Sequence, residues 1–163
     1  MANNNFEIID DLKCRIQDIV KQANDLKNRH IGDHDAHVNY SCIFSHSKTE
    51  YDQLNELASK IGIVVKDTST GPLYQIEPIS TASGSLQLLK IRIPDPTRPE
   101  MGDADFTIAD FPAFEEKYLS KPGFKRIQKE DFYMIELMDS NFNVRAYFSN
   151  PPLDKQLGLS AKK

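Results

Sequence analysis

Between Asn5 and about Lys27 the apolar residues Ile9, Leu12, Ile16, Ile19, Val20, Ala23 and Leu26 recur at three- and four-residue steps, which predicts one amphipathic helix. Asn5 is suited to cap it, because its short polar side chain can accept from the first free amides. The stretch from Asn28 to Ala36, rich in His, Asp and Gly, reads as a linker. The pattern then changes period. In His37 to Ser45, Val38, Tyr40, Cys42 and Phe44 alternate with His37, Asn39, Ser41 and Ile43, which predicts a strand with the first set turned toward a helix. Ser47 and Glu50 have the spacing of a capping box, and Tyr51, Leu54, Leu57, Ala58 and Ile61 give the next helix its apolar stripe. Gly62 is expected to end that helix in the left-handed conformation that costs glycine little.

Three short strands follow: Ile63 to Lys66, Leu73 to Ile79 after a Gly71-Pro72 turn, and Leu86 to Ile93 after Gly84. The proline-rich segment PDPTRPEMGD closes this first unit, since proline neither donates to a ladder nor continues a helix. The second half repeats the order. Asp103 to Ala109 alternates, with Ala104, Phe106 and Ile108 opposite Asp103, Asp105 and Thr107; Pro112 opens a helix through Leu119. Strands over Phe124 to Lys129, Tyr133 to Met138 and Val144 to Ser149 complete the set. A short echo, Ser59-Lys60-Ile61-Gly62 against Ser120-Lys121-Pro122-Gly123, fits a duplication.

The predicted fold is therefore α+β: paired βαβββ modules at 37–95 and 103–152 forming a curved mixed sheet or half-barrel cleft. A helix and linker over 1–36 precede them and a tail over 153–163 follows. At 163 residues this is the size of one domain, able to bury a core without staples. The net charge of -4 is interspersed, so no basic face arises for nucleic acid. Cys14 and Cys42 match neither a disulfide framework nor a zinc motif and read as reduced thiols, Cys42 buried in its strand. The acidic N-terminus lacks the regions of a secretory signal, and no apolar run approaches the ~18 residues of a membrane span, so the expectation is a cytoplasmic protein with no membrane partner.

If the apolar alternation marks the helix-facing side, the opposite face gathers His37, Asn39, Ser41, Lys90, Arg92, Asp103, Asp105, Thr107, Met134, Glu136, Arg145 and Tyr147 in one concavity. Charged groups in a hollow are costly unless paired or hydrated, so this face implies ion pairs or a polar ligand. His30 and His34 read as solvated linker residues, and His46 as a surface residue at a helix start. Ser41 and Ser45 have no glycine elbow, and no phosphate loop or dinucleotide pattern occurs.

The stretches HVNYSCIFS, DADFTIADFPAFEEKYL and FYMIELMDSNFNVRAYFS, taken with the element order, resemble the vicinal oxygen chelate superfamily of glyoxalase, bleomycin-resistance and extradiol-dioxygenase folds. Within it the chain looks most similar to the YecM-like proteins, over about His37 to Pro152. The resemblance implies a divalent metal (Zn, Mn, Ni or Fe) held by residues of the first and last strand of each module. His37 matches a first-strand ligand, Asp103 or Asp105 the corresponding place in the second module, and Glu136 is a displaced carboxylate that could join them. Lys90 and Arg92 stand where a ligating Glu is expected, and Arg145 and Tyr147 occupy the last strand.

Three readings stay open. His37, Asp105 and Glu136 bind a metal that acts as a Lewis acid in a lyase, isomerase or dioxygenase reaction, with Glu136 or Tyr147 moving a proton. Alternatively Lys90, Arg92 and Arg145 hold a small anionic molecule, in an enzyme or in a non-catalytic sequestering protein. In the third reading acids and bases pair across the sheet. The N-terminal helix could also join two chains, so both a monomer and a homodimer are compatible with the sequence.

Overall fold

A computed structural model of the protein describes residues 6–32 and 34–159; Asn5, the expected helix cap, lies outside them. Helix α1 (Ile9–His30) begins where the Asp11 carboxylate accepts from the amides of Glu7 and Ile8, both at 2.9 Å, so the first turn is closed by a residue inside it. The first module runs β1 (Val38–Phe44), α2 (Lys48–Ile61), β2 (Gly62–Thr68), β3 (Gly71–Thr81) and β4 (Gly84–Arg92). The second runs β5 (Gly102–Phe106), α3 (Phe111–Tyr118), β6 (Phe124–Gln128), β7 (Tyr133–Leu137) and β8 (Val144–Asn150), and a short α4 (Leu153–Gln156) follows.

The described strands form one curved, unclosed eight-stranded sheet in the order β2-β3-β4-β1-β5-β8-β7-β6. Within each module the first and last strands pair in parallel, β1 with β4 and β5 with β8, and the remaining pairs are antiparallel. The modules meet through β1 and β5, antiparallel, which makes the sheet order read the same from both ends. The expected α+β architecture of paired βαβββ units with an added N-terminal helix is what the chain adopts.

One face of the sheet carries the core. Ile43, Leu89, Ile91, Ala104, Phe106, Ile135, Leu137, Val144, Ala146 and Phe148 turn toward the helices. Helix α1 lies on this face across both modules, packing on β8, β5, β1 and β3 and on α2, with Leu12, Ile16, Ile19, Val20, Ala23 and Leu26 fully buried. Its stripe therefore covers its own sheet, each large side chain contributing about 1.5–3 kcal/mol by leaving water. Gly102 permits that approach: a Cβ there would stand 2.2 Å from the Cys42 carbonyl oxygen and 2.9 Å from Ile19 Cδ1. Helix α3 docks through Phe114, whose ring is 4.7 Å from that of Phe148.

Four local expectations change. Gly62 is extended (φ -167°) and opens β2; glycine is needed there because a Cβ would lie 2.3 Å from the Gln75 carbonyl oxygen. The turn before β3 falls at Ser69-Thr70, and Gly71 begins the strand with φ +139°. His30 is no solvated linker residue: it ends α1, with Nε2 2.8 Å from Asp139 Oδ2 and its ring edge-on to Phe124. The tail contains α4, fixed to β1 by reciprocal bonds in which Asn39 Nδ2 donates to Asp154 Oδ1 (2.9 Å) and the Asp154 amide to Asn39 Oδ1 (3.2 Å). Ser47 does cap α2, accepting from the Glu50 amide at 3.1 Å.

With α1 integral to the core, Ile16→Ala is expected to lower unfolding stability in urea by about 2–5 kcal/mol, and Ile63→Ala on the exposed edge strand by less than about 0.5 kcal/mol. Equal effects would contradict this placement of the helix.

Candidate functional site

The face opposite the helices is concave and encloses a cleft of about 340 Å³. Strand registry explains its lining. Lys90, Cys42, Asp103 and Arg145 are direct neighbours across β4, β1, β5 and β8, and one pleat away Tyr40, Asp105, Tyr147 and Glu136 form a second row across β1, β5, β8 and β7. Side chains in such rows project to one side. Lys90, Asp103, Asp105, Tyr40 and Tyr147 accordingly line the cleft, joined by Arg92 on β4.

The wall formed by the first module is cationic: Lys66, Lys90 and Arg92, with hydroxyls from Thr68, Ser69 and Thr70. Lys90 donates to Thr70 Oγ1 in a short hydrogen bond, and burial holds its ammonium below the usual lysine range. The opposite wall presents Ile127, Phe132 and Met134, and Leu153 of α4. Lys129 adds a further cation on that side. The floor is β5, with Asp103 and Asp105 5% and 1% exposed.

Those two carboxyls differ in their partners. Asp105 accepts from the Ser149 amide at 3.2 Å and from its hydroxyl in a short bond. Asp103 Oδ1 is buried with no hydrogen-bond partner among the described residues. Burial is the main cause that pushes both up to about 7; the cations Arg98, Lys90 and Arg92 pull Asp103 back, while Asp105 pushes it further.

Arg98 comes from the proline-rich segment between modules. Its guanidinium lies 5.4 Å above the Phe44 ring, and Nη1 donates to the Tyr147 hydroxyl at 3.1 Å. Tyr147 Oη in turn donates to Glu136 Oε2 at 2.5 Å. Burial, then the charge of Asp103, hold this phenol well above its ordinary range.

The expected site residues thus separate. Lys90, Arg92, Asp105 and Tyr147 line the cleft. Arg145 does not: its Nε and Nη2 bond Glu100 at 2.7 and 3.3 Å, its Nη1 Glu136 at 3.4 Å, and its Nη2 also the Thr97 carbonyl at 3.1 Å. It is neutralised by two buried carboxylates beneath the wall, and Arg98 stands in the place expected of it. Glu136 is committed to Tyr147 and Arg145, away from the lining. His37 is exposed beside the turn before β4, where a Cβ on Gly84 would lie 3.4 Å from its Nδ1.

His37, Asp105 and Glu136 therefore do not converge, and among the described residues no three His, Cys, Asp or Glu side chains are grouped as metal ligands. With Asp105 held by Ser149 and Glu136 by Arg145 and Tyr147, this donor set does not fit the divalent ion that the resemblance implies.

The face of β1 is the other correction. Ile43 joins the core, Ser41 Oγ donates to the Asp103 carbonyl at 2.8 Å, and Tyr40 lines the cleft, which is the reverse of the expected orientation. The register with β5 slips between Val38 and Tyr40, so Val38 stays in the core while Tyr40 turns away. Arg98 had a signal that sequence reasoning passed over: an arginine fixed between prolines in a connection between modules.

No family model matches the chain, and no curated protein does. The chain is similar to a solved structure described as "Structural Genomics, Protein EC4020", with 12% identity and a TM-score of 0.72 over 97% of this chain and 96% of that one. At that identity the likeness shows the fold. Among the described residues no helix is long and apolar enough to cross a membrane.

A carboxyl with a folded-state pKa above its unfolded value binds more protons when folded, so Asp103 and Asp105 reduce stability as pH rises from about 4 to about 7. Asp103→Asn is expected to exceed the parent chain in stability at pH 8 by roughly 1–3 kcal/mol, the advantage vanishing near pH 4. Urea titrations at both pH values check this, and an Asp103→Asn variant destabilised at pH 8 would refute the burial of an unpartnered carboxyl.

Proposed function

We propose that this protein binds a small organic anion in the cleft, as a glyoxalase-type member of the vicinal oxygen chelate superfamily similar to the YecM-like proteins. The observation that carries the reading is the charge of the lining: Lys66, Lys90, Arg92, Arg98 and Lys129 against Asp103 and Asp105, in a chain whose net charge is -4. Lys66 and Lys129 are exposed, and Asp95 pairs with both Arg92 and Arg98, yet these cations still outnumber the neighbouring carboxylates, and an anion relieves the excess. A guanidinium suits a carboxylate or phosphate oxygen pair, and Arg98 is pre-positioned by Phe44 and Tyr147.

The apolar wall defines the rest of the ligand. Ile127, Phe132, Met134 and Leu153 offer a surface for a hydrocarbon or ring, so the ligand class is an amphipathic monoanion of up to roughly a dozen heavy atoms, in keeping with the size of small-molecule sites. The superfamily reading is supported by the order and pairing of the two βαβββ units. Binding is the function proposed, in the cytoplasm. The reading needs no metal, because His37 stands exposed beside the turn before β4 while Asp105 is held by Ser149 and Glu136 by Arg145 and Tyr147.

The probe is 3-phenylpropionate, followed by calorimetry at low salt. Lys90→Ala and Arg98→Ala are each expected to weaken binding tenfold or more; Lys125→Ala, exposed and outside the cleft, is expected to leave it unchanged. Binding should weaken with added salt and persist after dialysis against a chelator. Binding that needs added Mn, Ni or Zn, or that ignores the loss of both cations, would overturn the reading.

A further inference from the structure

Two polar atoms at the cleft are buried without hydrogen-bond partners among the described residues, and they are of opposite kind: Arg92 Nε, a donor, and Asp103 Oδ1, an acceptor. Arg92 Nη2 bonds Asp95 at 3.3 Å, which leaves Nε uncommitted, and Asp103 Oδ1 receives no bond from β1 or β8, the strands on either side of it. Leaving a buried polar group without a partner is costly, so a cleft with one orphan of each kind favours an occupant that supplies both partners.

A simple carboxylate supplies only half of this. It offers acceptors to Arg92, Lys90 and Arg98, but places a second negative group near Asp103. A ligand with an O–H beside its anionic group supplies the other half, because that hydroxyl donates to the Asp103 carboxyl. The strand order gives the spacing: β4 bears Lys90, β1 bears Cys42 and β5 bears Asp103 in one row, with Arg92 two residues further along β4, so the backbones of Lys90 and Asp103 are two strands, roughly 10 Å, apart. The side chains of Lys90, Arg92 and Asp103 all line the same cleft. A carboxyl accepts through its carbonyl oxygen whether or not the other oxygen is protonated, so the match holds on both sides of neutrality.

We infer that the ligand is a 2-hydroxy carboxylate with an apolar substituent: its carboxylate on Lys90, Arg92 and Arg98, its hydroxyl on Asp103, and its substituent against Ile127, Phe132 and Met134. This rests on the anion-binding reading above and narrows it to one class. A site built to bond a ligand hydroxyl rejects the analogue lacking it more strongly than an apolar pocket rejects a missing methylene.

The test compares 3-phenyllactate with 3-phenylpropionate, which differ by that one hydroxyl, on the whole chain and on Asp103→Ala. Removing a buried carboxyl that has no partner leaves folding intact, and a thermal melt verifies it; Asp103→Asn, which keeps an acceptor oxygen, serves as the second variant. On the parent chain 3-phenyllactate is expected to bind at least tenfold more tightly. Asp103→Ala should abolish that preference, so that the two acids bind the variant equally, and Asp103→Asn should keep part of it. Equal binding of the two acids to the parent chain, or a preference that survives Asp103→Ala, would overturn the hydroxy-acid inference and leave anion binding standing. Binding of neither acid would overturn both.

Discussion

The antiparallel pairing of β1 with β5 is the contact on which the rest of the molecule depends. Each module alone is a small sheet with a helix on one side and a polar face on the other. Joined edge to edge through β1 and β5, the two polar faces become the walls of one hollow, and the residues beside the seam become its floor. Gly102 sits at that seam, where a side chain would collide with the Cys42 carbonyl and with Ile19 of α1. The same backbone approach therefore joins the modules and lets the N-terminal helix lie across them. What looks in sequence like an appendage supplies part of the core for both halves.

The distribution of charge follows from this geometry. Arg145, Glu100 and Glu136 satisfy one another in the buried layer under the wall, and Arg145 also holds the Thr97 carbonyl, which fixes the loop carrying Arg98. Removing one member of such a group strands the others without water, so its value is architectural. Arg98, Lys90 and Arg92 line the cleft with Asp103, which faces Lys90 across Cys42. Arg92 and Arg98 share the single carboxylate of Asp95, at 3.3 and 4.0 Å, and Lys90 has a hydroxyl partner, so the cations bordering the cleft outnumber the carboxylates paired with them. This imbalance, set within an acidic chain, is why a small anion is the proposed occupant.

Much of the fold was legible because local signals agreed. The helical steps of α1, the Ser47 cap and the alternation of β5 and β8 each had one interpretation, and the faces of β4, β5, β7 and β8 follow from apolar residues that recur every second position. β1 resisted because both of its faces are covered: Tyr40, Cys42 and Phe44 are apolar enough to pass for core, and the slip after Val38 reverses the phase within two residues. The site was half legible for a related reason. Facing can be read from periodicity, which placed Lys90, Arg92, Asp103, Asp105 and Tyr147 on the concave side. Partnership cannot, and whether Arg145 meets a ligand or two carboxylates depends on Glu100 in a loop with no period. His37 was misjudged because it lies just outside the strand, where alternation no longer governs direction.

The central claim is that the cationic wall and the acidic floor of one cleft receive the same small anion. Amide chemical shifts recorded during titration with 3-phenyllactate test it most directly. Saturable changes are expected within the cleft lining, in β4 to β8, residues 94–101 and α4, with α1 and α2 silent. Changes spread over α1 and α2, or none at any position up to millimolar acid, would contradict it.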